Sequence, residues 1–505
     1  MVAAGIFVSR ILGFVRERVF AHYFGNSPAA DAFRAALKIP NLVRNLLGEG
    51  TLSASFIPIY ARAAERNDSG AARALAGATL GILTAITALS ALLGIWLAPA
   101  ITDFVAFGFP PETRDLTVRL VRILFPMTGL MVVSGWCLGV LNTHGRFFLP
   151  YAAPAIWNIA GIAALWGVAS WRPGSTIEEL AIALAWGTLV GSLLQVAIQL
   201  PTCARLLQGL PFSLDYRNQE LRTVFLSWVP VVIGAGVAQI ASIVDTQLGS
   251  LTGPGGVAAL GYAQLLQTLP ISLFGVSVAA ASLPDLSREA DDQAGRQLLR
   301  DRLGAGFSRI FFFVAPVGLA YIVLGRPLIA ALFQTGRFGT LETDVVSGVL
   351  AAYGVGLLGF ATVKLFASGY YALRDTRTPV LVAATSLAIG TGLSLYFMYR
   401  TPFGVAGIAF GSSLAAFLNT ILHVVGLDRR LGITIVGRGE LVAVGQVALA
   451  STVATVAGWG MQSLAGRWHP IPGAAAIYGV FGVAYLVAGA LLGNPEARRL
   501  ARVGR

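Results

Sequence analysis

The stretch SRILGFVRERVFAHYFGNSPAADAFRAALKIPNLVRNLLGEGTLSASFIPIY, residues Ser9 to Tyr60, decides the fold of this chain. Its apolar residues are dense enough to lie in a bilayer, but strong charges are threaded through them. Ionisable side chains in membrane-spanning segments are costly in hydrocarbon, so they usually face a water-filled cavity and mark a substrate or ion path. The charged residues are Arg10, Arg16, Arg18, Asp31, Arg34, Lys38, Arg44 and Glu49. We therefore expect two spanning segments beside a cationic cavity that suits an anion.

The rest of the chain has the composition of a membrane protein. Of its 505 residues, 56% are hydrophobic and only 12% are charged, which excludes an ordinary water-soluble globular protein. Apolar runs of about 20 residues, the length of a helix that crosses the hydrocarbon core, recur from end to end. The sequence predicts an all-α polytopic membrane protein with about fourteen transmembrane helices.

The basic residues alternate between connections along the chain. Every second connection is rich in arginine, as at Arg374 and Arg377, whereas Arg172, Arg337 and Arg400 mostly stand alone. Under the positive-inside rule this alternation predicts an even number of spans with both termini cytoplasmic. It also explains the net charge of +12 without a nucleic-acid partner.

Two pairs of segments suggest an internal repeat. FIPIYARAAE from Phe56 resembles SLPDLSREAD from Ser282, and LNTHGRFFLP from Leu141 resembles LRDTRTPV from Leu373. The repeat predicts two pseudo-symmetric six-helix lobes, residues 1–215 and 216–430, followed by two further helices and a basic tail in 431–505. Chance similarity between apolar segments is the alternative.

Arg10 and Arg44 are the most informative charges. Arg10 lies midway along the first predicted span, where its side chain cannot easily reach either interface. Arg44 follows Pro40, which is predicted to kink the second span, residues Ala29 to Ala61, with further breaks at Gly48 and Gly50. Both arginines either contact a ligand or form ion pairs with Asp31, Glu17 or Glu49.

Arginine suits a pyrophosphate because its guanidinium stays charged and offers a planar fork of donors to phosphate oxygens. The cations Arg16, Lys38 and Lys364 also lie in predicted spans, and Asp31 would hold neighbouring cations in place. Arg34 is a further candidate for the cavity, as are Arg119 and Arg122, which fall inside the fourth predicted span, Thr117 to Leu141.

Asp245 is a lone acid in the seventh predicted span. It is a candidate ligand for a coupling cation or a proton, but a buried Asp bonded to Ser242, Thr246 or Gln247 fits equally well. The histidines lie near predicted segment ends, and no cluster of His or Cys indicates a metal site or a proton relay. They are His22, His144, His423 and His469. No metal or cofactor is predicted.

Several motifs resemble the MurJ (MviN) lipid II flippases of the multidrug/oligosaccharidyl-lipid/polysaccharide (MOP) exporter superfamily. They are SRILGFVRE, ADAF, KIPNLVRNLLGEGTLSASFIPIY, GVLNTHGRFFLPYAAPAIWN and YALRDTRTPV. The resemblance covers most of the chain. It implies fourteen spans, two six-helix lobes and a lipid groove formed by the last two helices. The family's central-cavity positions fall on Ser9, Arg10, Arg16, Asp31 and Arg44, and its intramembrane lysine on Lys364.

Two positions depart from the family pattern. The eighth predicted span reads YAQLL, with Leu265 where the family has an arginine. This part of the family's pyrophosphate-binding site is therefore missing, or its role is taken by Arg119 or Arg122. TSLAIGTGLSL from Thr385 offers no acid for a sodium site, which leaves protons or membrane potential as well as sodium open for coupling.

The resemblance implies a monomeric flippase of the bacterial inner membrane. It would move an undecaprenyl-pyrophosphate-linked peptidoglycan precursor between leaflets by alternating access, with membrane lipid and this substrate as partners and no bond made or broken. A drug/cation antiporter would need acidic residues in the cavity rather than arginines. An enzyme that acts on prenyl phosphates would need paired carboxylates, a metal site or a histidine cluster, and the sequence has none of these patterns. An exporter of another polyprenyl-linked oligosaccharide and a non-transporting cell-wall scaffold are the remaining alternatives.

Overall fold

Helices make up nearly all of the described chain in this computed structural model. The structure describes residues 2–47, 49–65, 69–215, 217–278, 293–466 and 468–503. Within these ranges there is no β-strand, and the predicted all-α fold is confirmed. The helices are α1 (Val2–Phe24), α2 (Pro28–Ala36), α3 (Lys38–Leu47), α4 (Glu49–Glu65), α5 (Ser69–Trp96), α6 (Ala98–Val105), α7 (Pro111–Leu124), α8 (Met127–Thr143), α9 (Phe148–Ala152), α10 (Pro154–Trp171), α11 (Ile177–Leu206), α12 (Gln219–Ser250), α13 (Gly256–Pro270), α14 (Ile271–Val276, a π-helix), α15 (Gln293–Phe333), α16 (Thr340–Ala372), α17 (Arg377–Arg400), α18 (Val405–Leu431), α19 (Arg438–Ala465), α20 (Pro470–Leu491) and α21 (Pro495–Val503).

Eleven helical segments of the described chain are long and apolar enough to cross a bilayer. They begin at Gly70 and end at Leu491. The first, second and seventh predicted spans, which correspond to α1, to α2–α4 and to α12, are not among them. Of these, α1 is rich in charge, and α2 to α4 are short. The count of fourteen spans therefore stays a prediction.

The second predicted span is not one kinked helix but three helices, α2, α3 and α4. The first break falls at Leu37, before the proline and not at it. Pro40 has no N–H to donate to the carbonyl of Ala36, so α2 ends there, while Pro40 itself fits in the first turn of α3. Gly48, the second predicted break, lies outside the described residues.

Two other predicted boundaries differ for similar local reasons. The fourth predicted span is divided by Pro126 into α7 and α8, because Pro126 lacks the donor that would continue α7. The ninth predicted span was expected to begin at Gly306, whereas α15 begins at Gln293. Its buried stripe already includes Leu299 and Leu303, which holds this charged segment in the helix and out of a loop. The repeat segment from Ser282 lies outside the described residues.

The chain forms two compact units, Met1–Ala258 (unit 1) and Ala259–Arg505 (unit 2). This division keeps α12 in unit 1, so the predicted lobes of 1–215, 216–430 and 431–505, which follow the internal repeat, stay a prediction. In unit 1, α8 packs against α4 and α5, and the buried Trp136 indole donates to the carbonyl of Ala76.

Unit 2 is organised around α16, which packs against α15 and α18. Gly356 and Gly359 lie directly against Ser413 and Ala416 of α18, so a side chain at either glycine would collide with α18. Small residues at such positions let two membrane helices approach closely. The helices α19 and α20 pack against α15, where Tyr485 and Tyr478 donate to the carbonyls of Phe312 and Leu324.

Candidate substrate-binding site

Two arginines share one carboxylate in unit 1. Arg16 donates to Glu17 Oε1 at 2.6 Å, and Arg34 of α2 donates to Glu17 Oε2 at 2.8 Å. The Glu17 side chain is only 12% exposed. Two cations around one anion leave a net positive charge, and a largely buried carboxylate needs such partners to stay ionised. The arrangement fixes two guanidinium groups beside each other on α1 and α2.

Aromatic rings support the same two guanidinium groups. The Cζ atom of Arg16 lies 4.5 Å from the ring centroid of Trp157 on α10, and that of Arg34 lies 4.9 Å from the ring of Phe20. Rings at this distance attract cations through their negative faces. Each guanidinium is therefore held by a carboxylate and a ring, and its position does not depend on a ligand.

Asp31 lies in the first turn of α2, which begins at Pro28, directly after the N-cap Ser27. It is 2% exposed and accepts hydrogen bonds from the backbone N–H groups of Gly255 (2.6 Å) and Ala258 (2.7 Å), at the start of α13. A carboxylate at a helix N-terminus satisfies donors that the helix itself cannot.

Gly255 allows this contact between Asp31 and the start of α13. Its φ of +85° belongs to the left-handed region, and a Cβ there would collide with Asn26. The hydrogen bonds of Asp31 thus go to the backbone, and Arg34 adds an electrostatic attraction.

Lys38 joins α3 to α12. Its Nζ donates to Ser242 Oγ at 2.9 Å, and Asp245, one turn further along α12, is close enough to attract the ammonium electrostatically. The hydroxyl of Thr246 bonds instead to the carbonyl of Ser242, and Gln247 bonds to the carbonyl of Phe104. The environment of Asp245 thus includes a cation supplied by the chain itself.

Arg44 and Arg10 differ from these held cations. Arg44 is half-buried on α3, whose end is fixed by the Trp228 indole donating to the carbonyl of Leu46 at 3.0 Å. Arg10 is exposed on α1 next to the exposed Ile11. Among the atoms that the structure describes, neither guanidinium makes a hydrogen bond or an ion pair. Both retain their full set of donors for a ligand.

The remaining candidates make none of the contacts described above. Ser9 is half-buried on α1, and Arg119 and Arg122 are exposed on α7. In unit 2, Lys364 is exposed on α16, and Leu265 is half-buried on α13.

Sequence reasoning named Glu17 and Ser242 only as possible ion-pair or hydrogen-bond partners, and it missed Trp157. Glu17 could have been found from its place between Arg16 and Arg18, one position after the arginine it binds. Trp157 is 141 residues from Arg16 along the chain, and no local pattern links the two.

The fold defines the class of protein. It matches a solved structure titled lipid II flippase MurJ, inward closed conformation, with a TM-score of 0.76 and 23% identity over 97% of this chain and 98% of that one. A multidrug resistance MATE family transporter of the MOP superfamily matches with a TM-score of 0.63 and 16% identity over 83% and 94% of the two chains. This is a multi-span helical membrane protein with the fold of the MOP superfamily.

Sequence comparison gives the family within that class. The model of the family described as lipid II flippase MurJ matches residues 20–478. The lipid II flippase MurJ of Burkholderia cenocepacia is 34% identical over 432 residues, 84% of this chain and 82% of that protein. The probable lipid II flippase MurJ of Haemophilus influenzae is 30% identical over 84% of each chain. The chain belongs to the MurJ family.

Proposed function

We propose that this protein is a lipid II flippase, which moves the undecaprenyl-pyrophosphate-linked peptidoglycan precursor from the cytoplasmic to the periplasmic leaflet. Membership of the MurJ family supports the substrate, and the cationic cluster of unit 1 supports its chemistry. Translocation makes and breaks no bond, so the protein acts as a transporter and not as an enzyme.

This proposal depends on one observation, namely that α1, α2 and α3 each carry arginine guanidinium groups. A pyrophosphate needs several donors and net positive charge, and arginine provides both where water is scarce. Arg16 and Arg34 keep a net positive charge around Glu17, and Arg44 and Arg10 have donors to spare. Arg10, Arg16 and Arg44 are the proposed pyrophosphate ligands, with Ser9, Arg34 and Lys38 of the same unit as further contacts. The proposed substrate contact at Lys364 in unit 2 follows from the family resemblance alone.

Asp31 has a different proposed role. Its two backbone hydrogen bonds tie the start of α13 to α2, the helix that also carries Arg34. A ligand that draws Arg34 toward its phosphates would change the electrostatic balance at Asp31. Asp31 is therefore a positioning residue, and alternating access would require these bonds to loosen and re-form.

Three further points follow from the sequence and belong to the same proposal. The protein lies in the bacterial inner membrane with both termini cytoplasmic, because arginine-rich connections alternate along the chain. It works as a monomer. Sodium coupling through Asp245 is disfavoured, because a sodium ion would compete with the Lys38 ammonium that already attracts this acid.

The test is transport by the purified chain in proteoliposomes that contain fluorescent lipid II. Wild-type protein should expose the lipid to a membrane-impermeant quencher faster than empty vesicles do, and it should rescue a bacterium depleted of its own flippase. Rapid transport of another polyprenyl-linked oligosaccharide without transport of lipid II would identify that oligosaccharide as the substrate. A protein that neither transports lipid II in vesicles nor rescues the depleted bacterium would be a non-transporting scaffold.

A further inference from the structure

Three of the buried polar atoms of unit 2 that have no hydrogen-bond partner in the described protein lie on two neighbouring helices: Ser386 Oγ on α17, and Asn419 Oδ1 and His423 Nε2 on α18. The three residues are 3%, 9% and 1% exposed, respectively. Unpartnered buried polar groups are rare and costly, and each requires an explanation.

The packing of α17 against α18 brings these residues to one level. The two helices run antiparallel, with Gly390 against Ala415 and Ser394 against Gly411. Ser386 precedes Gly390 by one turn of α17, and Asn419 follows Ala415 by one turn of α18. Because the helices are antiparallel, Ser386 and Asn419 therefore lie at the same level. His423 follows Asn419 by one turn of α18, so both lie on the same face of that helix.

The hydrogen bond at the other ring nitrogen defines the state of the imidazole. His423 Nδ1 lies 2.8 Å from the carbonyl oxygen of Asn419. A carbonyl can only accept, so Nδ1 carries the hydrogen and, in the neutral ring, Nε2 holds a bare lone pair. A proton on Nε2 would turn it into a donor. Of the two other unpartnered atoms, Asn419 Oδ1 is an acceptor, and the Ser386 hydroxyl can accept as well as donate.

Charged and titratable groups approach His423 from α16 and from the last turns of α18. From α16, the Tyr370 ring meets the imidazole edge to face with centroids 5.5 Å apart, and its hydroxyl donates to the carbonyl of His423. Behind it lie Arg430, over the Tyr370 ring, and Asp375, which pairs with Arg430.

The other helices add no charge at the level of His423. Lys364 of α16 is exposed, and α17 has no charged side chain between Arg377 and Arg400. In residues 340–431, all of which the structure describes, no acid neutralises the imidazole directly.

We propose that His423, Asn419 and Ser386 form a proton-binding site that couples translocation to the proton gradient. In one stage of the transport cycle His423 takes a proton on Nε2 from a hydronium ion of the aqueous phase, and the hydronium ion becomes water. In the opposite stage His423 returns this proton to water. The coupling rests on the proposed flippase activity; the proton site does not. No sequence pattern predicted this site, because the predicted span ends at Val425, close to His423, whereas α18 continues for two turns beyond His423 to Leu431.

Nitrogen NMR of the side chains tests the site without transport. A variant in which His22, His144 and His469 are replaced by Gln keeps His423 as the only histidine, because the chain has four. Its imidazole should be the Nδ1–H tautomer at high pH and gain a proton on Nε2 as the sample is titrated from about pH 8 down to about pH 4. Ser386→Ala should lower the midpoint. An Nε2–H tautomer, or a ring that never titrates in this range, would overturn the proposal.

Transport under an imposed pH gradient tests the coupling. A gradient of one pH unit changes the ratio of protonated to neutral histidine by about tenfold, so the wild-type rate should change several-fold. His423→Gln should remove this response. His144→Gln is the matched control, because His144 makes the same Nδ1 bond to a carbonyl but is exposed.

The results separate the coupling from the function. A response to the gradient that His423→Gln retains in full would refute coupling at His423. Wild-type protein that moves no lipid II would refute the proposed function, and the NMR titration would still decide the proton site.

Discussion

The cations of α1 to α3 fall into two groups that the sequence does not distinguish. Arg16, Arg34 and Lys38 are held by Glu17, by aromatic rings and by Ser242. Arg10 and Arg44 make no such bond among the described atoms. A cation held by protein partners sets the local potential and offers only its remaining donors to a ligand, whereas a cation without such partners offers all of its donors. Removing a held cation or its partner should therefore cost stability first, and removing an open cation should cost transport alone.

The largest effect on stability is expected from Glu17→Gln. It removes the carboxylate between Arg16 and Arg34 and leaves two adjacent cations in a largely buried place, which should lower the free energy of unfolding by about 3 kcal/mol. Denaturation of the purified protein in detergent measures this. Asp344→Asn is the control, because it breaks the exposed pair with Arg326 and should cost less than about 1 kcal/mol. Equal losses would show that Glu17 does not hold the two arginines.

Asp31→Asn should have the next largest effect. Asparagine keeps one oxygen but loses the charge and the second acceptor, so one of the N–H groups of Gly255 and Ala258 is left without its partner. We expect a loss of about 2 kcal/mol in the free energy of unfolding. Hydrogen exchange should locate the change at the start of α13. Unchanged protection there would contradict the assigned contact.

Ser242→Ala tests the attachment of Lys38 and should cost about 1 kcal/mol, because one hydrogen bond to a charged donor is lost while the attraction to Asp245 remains. The control is Ser90→Ala on α5, whose hydroxyl bonds only within its own helix. A loss at Ser90 as large as at Ser242 would mean that the Lys38 contact adds nothing.

The smallest effect is expected at an ion pair outside the spans. Burial alone would raise the pKa of Asp375, but hydrogen bonds from the Thr378 hydroxyl and the N–H groups of Thr378 and Arg377, with the Arg430 guanidinium, lower the pKa to about 2. Because the pKa falls on folding, the group stabilises the protein above its ordinary pKa of 3.8, and this contribution is lost as the pH falls toward 2.

Thermal unfolding between about pH 5 and pH 2 measures this contribution, which should be under about 1 kcal/mol because the Arg430 side chain is 45% exposed. Asp375→Asn should flatten that part of the profile. A profile that the variant leaves unchanged would remove Asp375 from the pH dependence.

Sequence alone was sufficient for the fold class, because charge threaded through long apolar segments is a strong and local signal. It also singled out the charged residues of α1 to α3, whose role in binding the substrate stays a prediction. It did not predict that α2 ends at Ala36, because that boundary follows from a hydrogen bond that Pro40, four residues later, cannot make. It could not assign partners, because Arg34 is 17 residues from Glu17, Lys38 is 204 from Ser242, and Asp31 is more than 220 from Gly255 and Ala258. Such pairings depend on how the helices pack.

The measurement that tests the central claim most directly is the initial rate of lipid II translocation by Arg44→Ala, alongside its unfolding midpoint. Loss of a charge-assisted bond to a pyrophosphate should lower the rate at least about tenfold and leave the midpoint unchanged, with Arg10→Ala behaving alike and Arg44→Lys falling in between. Translocation at the wild-type rate by Arg44→Ala and Arg10→Ala would contradict the account, because the open guanidinium groups would then not bind the substrate.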